Sequence, residues 1–143
     1  MKASAAVVDT NVVVSGLLTA DAAAPTARIL DAMLRGAFPF LLSPALLREY
    51  RAVLLRRRVR LRHRLSEVEV DAMLKEIVTH AIVREPQVRS GAPDAKDEHV
   101  WSLVQSQPAA VLVTGDHALA KRPPAGISVM APREFAEQIA RIA

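Results

Sequence analysis

AAVVDTNVVVSG, residues 5–16, is the stretch on which the fold turns. An apolar run, Ala5 to Val8, stops at Asp9, Thr10 and Asn11, and apolar residues resume with Val12, Val13 and Val14. Four apolar residues bounded by turn-formers read as a buried strand. Asp9 to Thr19 then reads as a turn and a short helix. Two explanations of the acid stand open: it caps that helix, or it serves chemistry at a strand end.

Outward from this stretch, short apolar runs alternate with helical patterns. Pro25 opens a helix at a first-turn position, with Ile29, Leu30, Met33 and Leu34 as its stripe and Gly36 as its stop. Phe38 to Leu42 is a strand, and Ser43 caps a helix that carries Leu46, Leu47, Tyr50, Val53 and Leu54 on one side. Ser66 to Glu69 is a capping box ahead of Val70, Met73, Leu74, Ile77 and Val78. Ala81 to Val83 reads as a third strand and Glu85 to Pro93 as a loop. Asp94 or Asp97 begins a helix with Val100, Trp101 and Val104. Ala110 to Thr114 and Ile127 to Met130 are strands, and Pro132 to Ile142 is a last helix with Phe135, Ile139 and Ile142 inward. Strands separated by helices predict an α/β fold, a parallel sheet covered on both faces.

The 143 residues suit one domain, 1–143, with a single core. Hydrophobic residues make up 51% of the chain, enough for that core, whereas aromatics are 3%, too few for a base-stacking platform. The absence of cysteine excludes disulfides and thiolate metal sites and fits a reducing cytoplasm. Lys2, an apolar stretch and small residues near Ala22 to Ala24 have the outline of a secretory signal. Asp9 and Asn11 interrupt a core that should be continuous. No segment approaches the ~20 apolar residues of a membrane span.

Net charge is +4, and the excess is local: eight arginines fall between Arg48 and Arg64. They can neutralise phosphates and steer a polyanion. A solvated helix face followed by an exposed loop, or a docking surface for an acidic chain, explains them as well.

In open parallel sheets, sites lie beyond the carboxyl ends of strands. Asp9 follows the first strand, and Asp116 follows Thr114-Gly115 at the end of another. Asp97 points between Val100 and Trp101, in line with Val104, where an ionised carboxylate is costly unless paired or metal-bound. It serves equally well as a helix cap. Asp94 lies one turn earlier, and Glu49 sits at the margin of its helix's apolar stripe. Such acids, if they converge, repel one another without a cation and form an oxygen-rich site suited to Mg²⁺ or Mn²⁺. His117 is a conceivable extra ligand, and His63, His80 and His99 read as incidental.

D-T-N-V after the first strand, the helical Glu of LLREYRAVL, DAKDEHVW, and VLVTGDHAL together resemble the PIN domain, and within it the toxin branch of bacterial and archaeal toxin–antitoxin systems. The likeness spans nearly the whole chain, with elements in the expected order. It implies a three-layer α/β/α sandwich and a Mg²⁺- or Mn²⁺-dependent ribonuclease whose acids are Asp9, Glu49, Asp97 and Asp116. Asp9 would be the central metal ligand, completed by Glu49 and Asp97, with Asp116 holding a second ion. Thr10, Asn11 and Thr114 would support these acids, and Asp94 would assist. It further implies a homodimer and a small antitoxin covering the acidic site. Because the arginines begin beside Glu49, Arg48, Arg56, Arg57 and Arg58 are expected to contact RNA. Two other readings compete. A haloacid-dehalogenase-like phosphatase needs D-x-D, and Asn11 replaces the second acid. A non-catalytic basic RNA- or partner-binding module leaves the acids unexplained.

Overall fold

The computed structural model describes residues 4–86, 98–121 and 126–142. Strand β1, Ala6–Val8, is followed by helices α1, Thr10–Leu18, and α2, Pro25–Arg35. Then come β2, Leu41–Leu42; α3, Pro44–Leu54; α4, Arg57–His63; α5, Glu67–His80; and β3, Ile82–Val83. The chain continues with α6, Glu98–Gln105; β4, Val111–Val113; α7, His117–Lys121; β5, Ser128–Met130; and α8, Pro132–Ile142.

All strand pairs are parallel. β4 lies between β1 and β5, and β2 pairs with β3. A bridge from Ala6 to Phe40 joins the two ladders, so the strands run in the order β3-β2-β1-β4-β5. Every residue of β1 and β4 is buried, as their unbroken apolar runs require of strands covered on both faces. Helix α6 packs on β1 and β2, α1 packs on α2 and α3, and α2 also packs on α8 and α5. The result is an α/β/α sandwich.

The helix ends follow the expected chemistry. Ser43 Oγ accepts from Leu46 N at 3.1 Å. Ser66 and Glu69 close both bonds of the capping box, and Gly36 ends α2 at φ 67°, the left-handed region that glycine enters without a Cβ clash. The stripes bury Ile29, Leu30 and Met33; Leu46, Tyr50 and Leu54; and Val70, Leu74 and Ile77. Leu34, Leu47, Val53, Met73 and Val78 are only half-buried. Phe135 and Ile139 point inward, and the Ile142 side chain lies outside the described residues.

Two expectations need correction. Phe38 to Leu42 forms a ladder only at Leu41–Leu42, while Phe38 serves the core through edge contacts with Phe135. After α3 the arginine run is helical, as α4, rather than an exposed loop. None of its residues is buried, so no apolar period announces it. His63 holds its end in place, with Nε2 donating to Leu54 O at 2.8 Å and Nδ1 accepting from Leu65 N at 2.9 Å. The short helix α7 is likewise silent in the pattern.

α1 and α2 cross closely at Gly16, where an added Cβ would lie 2.5 Å from the carbonyl oxygen of Thr26. The obstacle is backbone, so the helices must part. Gly16→Ala is expected to lower unfolding free energy by ~1–3 kcal/mol, read from the urea midpoint. An unchanged midpoint would mean that the crossing imposes no constraint.

Candidate active site

β1 pairs with β4 in the register Val8↔Val113, and Asp9 N donates to Val113 O at 2.9 Å. The next residues of the two chains, Asp9 and Thr114, therefore emerge side by side at the carboxyl edge of the sheet. Asp9 is the N-cap of α1: Oδ1 accepts from Thr10 N at 2.8 Å. Its Oδ2 accepts from Thr114 Oγ1 at 2.7 Å and from Asn11 Nδ2 at 3.3 Å. The acid is thus both a cap and a member of a polar cluster. Asn11 spans the same gap, its Oδ1 accepting from Gly115 N at 3.2 Å. Thr114 Oγ1 spends its single proton on Asp9 and accepts from Asp116 N at 3.1 Å.

Glu49 arrives from α3 and is anchored by its neighbour. Tyr50 is buried, and its hydroxyl donates to Val8 O at 2.5 Å, pinning α3 to the last residue of β1. Burial, then the charges of Asp9 and Glu49, push the phenol well above its usual range, so it remains a proton donor. Thr10 Oγ1 donates to Glu49 Oε2, and His99 Nε2, from α6, lies 3.3 Å from Oε1. A carboxylate only accepts, so Nε2 carries the proton if the imidazole is neutral. His99 Nδ1 is buried with no partner among the described residues. Asp116 is exposed, and its Oδ1 accepts from Ala118 N at 3.0 Å and Leu119 N at 3.2 Å, capping α7.

The electrostatics tie these acids together. Asp9 holds its proton more tightly than an ordinary Asp, first because it is desolvated, and further because Glu49 and Asp116 are negative. The bonds from Thr114 and Thr10 oppose this rise. Asp9 thus senses two further carboxylates, from α3 and from the start of α7, at one sheet edge. Among the described residues, no three His, Asp or Glu side chains form a ready-made metal cluster. Asp94 and Asp97 lie outside the described residues. A set of carboxylate oxygens, one of them desolvated beside two further negative charges, fits a hard divalent cation.

Beside Asp9 opens a cleft of about 680 Å³, lined along α1 by Thr10, Asn11, Val14, Ser15, Leu18 and Thr19, and opposite by Val53, Arg56 and Arg62. Of the expected RNA-contacting arginines, only Arg56 reaches this cleft. Arg48 borders a separate hollow with Glu85 and His99, Arg57 lies in another with Arg60 and Arg64, and Arg58 is exposed. Three participants escaped the sequence reading: Arg62, Tyr50 in its anchoring role, and His99, which that reading set aside. Only the position of His99, between Glu98 and the buried Val100, hinted at its place.

Asp9, Glu49 and Asp116 thus gather at the carboxyl edge of a parallel α/β sheet, where such folds place their functional sites. The profile of the PIN domain matches residues 5–118, and the chain belongs to that family. PIN domains are generally nucleases acting on RNA or other nucleic acid, and they typically use divalent metals. No curated protein matches the chain in sequence.

A carboxyl whose folded pKa exceeds its unfolded value favours the fold most at low pH, and that contribution is lost as pH rises from the unfolded value through the folded one. Asp9→Asn keeps a capping side chain and removes a desolvated charge. The metal-free variant is therefore expected to melt a few degrees above the parent at pH 7, the gap closing below pH 4. A lower melting temperature for the variant at pH 7 would contradict this account of Asp9.

Proposed function

We propose that this protein is a Mg²⁺- or Mn²⁺-dependent endoribonuclease that hydrolyses RNA phosphodiester bonds. The observation that carries this reading is the gathering of Asp9, Glu49 and Asp116 at the carboxyl edge of the sheet, where the desolvated Asp9 senses both other charges. Asp9, Glu49 and Asp97 would hold one ion, and Asp116 would assist with a second. A bound ion would supply a water of lowered pKa and neutralise charge developing on the phosphate.

The chain's own groups perform the rest. Thr114 and Asn11 fix the rotamer of Asp9, while Thr10 and His99 hold the two oxygens of Glu49. The Tyr50 bond to Val8 couples the position of Glu49 to that of Asp9. Such preorganisation keeps the acids from relaxing apart when the site is metal-free.

Within the family, we place the chain in the toxin branch on the likeness of D-T-N-V, LLREYRAVL, DAKDEHVW and VLVTGDHAL to toxin sequences. A small antitoxin, a homodimer and a cytoplasmic location belong to the same reading. Among the described residues, no helix is long and apolar enough to cross a membrane.

Purified protein should cut RNA in Mg²⁺ or Mn²⁺ and not in EDTA. Asp9→Asn and Glu49→Gln should each reduce kcat by roughly a hundredfold or more. RNA binding without cutting under every metal condition would replace this reading with that of a binding module. For the toxin assignment, induced expression should arrest growth, and Asp9→Asn should abolish the arrest.

A further inference from the structure

The acids raise a difficulty for any polyanionic substrate. Asp9, Glu49 and Asp116 repel phosphates, and a bound ion offsets that only at the reacting group. Among the described residues, the cleft beside Asp9 carries compensating charge at Arg56 and Arg62. Its floor follows α1 from Asp9 to Thr19, about 15 Å of helix, and Arg56 and Arg62 border it from the far side. Neither guanidinium has a carboxylate partner among the described residues. Arg51, from the same run, is committed elsewhere, to Glu67 at 2.6 Å and Asp71 at 2.8 Å.

α4 thus divides the arginine run. Arg56, immediately before it, and Arg62, in its last turn, face the Asp9 cleft, while Arg57, Arg60 and Arg64 line a different hollow with Leu61 and Glu69. Among the described residues, no aromatic ring lines the Asp9 cleft, so they offer no platform on which a base could stack. Val14, Leu18 and Val53 offer apolar surface, and Ser15 and Thr19 offer hydroxyls. The two guanidinium groups of the far wall have the charge that suits a phosphate.

We propose that Arg56 and Arg62 form a phosphate grip, seating a single-stranded RNA along α1 so that a phosphate flanking the scissile one is held while the scissile group lies at Asp9. The grip sets where the strand lies, and Arg57, Arg60 and Arg64 take no part. The inference rests on the ribonuclease reading of the Asp9 site.

Two double variants remove equal charge from opposite sides of α4: R56Q/R62Q and R60Q/R64Q. Binding of a short single-stranded RNA is measured against salt in an Asp9→Asn background, and kcat and KM in the otherwise native protein. R56Q/R62Q should weaken binding roughly tenfold near 0.1 M salt and reduce the slope of log K against log salt by about 1.4, the release expected for two lost contacts. KM should rise with kcat nearly unchanged. R60Q/R64Q should leave the slope and KM close to the parent's. Equal losses in the two variants, or a larger loss in R60Q/R64Q, would overturn the grip while leaving metal-dependent cutting intact. Absence of cutting by the native protein with any metal would instead remove the ribonuclease reading, whatever the binding data. Circular dichroism of both variants excludes loss of α4 as the cause, and a lost helix signal would redirect the test to the single variant Arg62→Gln, judged by the same slope.

Discussion

The register of β1 against β4 is the constraint from which the site follows. Val8 lies opposite Val113, and a parallel ladder carries both strands to the same edge. The first residues past the ladder, Asp9 and Thr114, must then meet. Their 2.7 Å bond is the consequence of a pairing made entirely by buried apolar residues. A one-residue slip would invert the faces of the slipped strand and separate the acid from its donor. Core packing and site geometry are thus one requirement, not two.

That requirement places a charge where solvent does not compensate it. Asp9 is desolvated and faces two further negative groups, so the fold carries an electrostatic cost at this edge. Such local destabilisation is characteristic of functional sites, which commonly trade stability for preorganisation. The surroundings limit the cost: Thr10, Asn11 and Thr114 donate to the carboxylate, and Tyr50 stays protonated and spends its hydrogen on Val8 rather than on an acid. Each of these donors has an assigned acceptor, which keeps the acids fixed relative to one another.

The basic segment shows how one run of like residues acquires several uses. Arg51 braces α3 against α5 through Glu67 and Asp71. That pair is solvent-exposed, so its contribution to stability is small, and its effect is to orient the start of the run. Arg56 and Arg62 turn toward the Asp9 cleft, and Arg57, Arg60 and Arg64 turn away. Arg57, Arg60 and Arg64 recur at three- and four-residue spacing along α4 and share a face, from which Arg62, two residues from Arg60, is turned away, while Arg56 lies before the helix as its N-cap.

The sequence by itself determined the strand–helix alternation, the caps at Ser43 and Ser66, the stop at Gly36, and the presence of acids after two strands. These depend on local pattern and on backbone groups a few residues away, so they can be read from neighbours in the chain. It left undecided whether Asp9 caps or catalyses, and the structure shows that a capping carboxylate keeps its second oxygen for the sheet edge. Only the tertiary structure brought Thr114 to Asp9, Thr10 and His99 to Glu49, and the Tyr50 hydroxyl to Val8. These contacts join residues 39 to 105 positions apart, and no local period records them. α4 was equally unreadable, because a helix with no buried face leaves no apolar rhythm. Which arginines face the cleft depends on where that helix is docked, a matter of packing between α1, α3 and α4 that composition and charge do not encode.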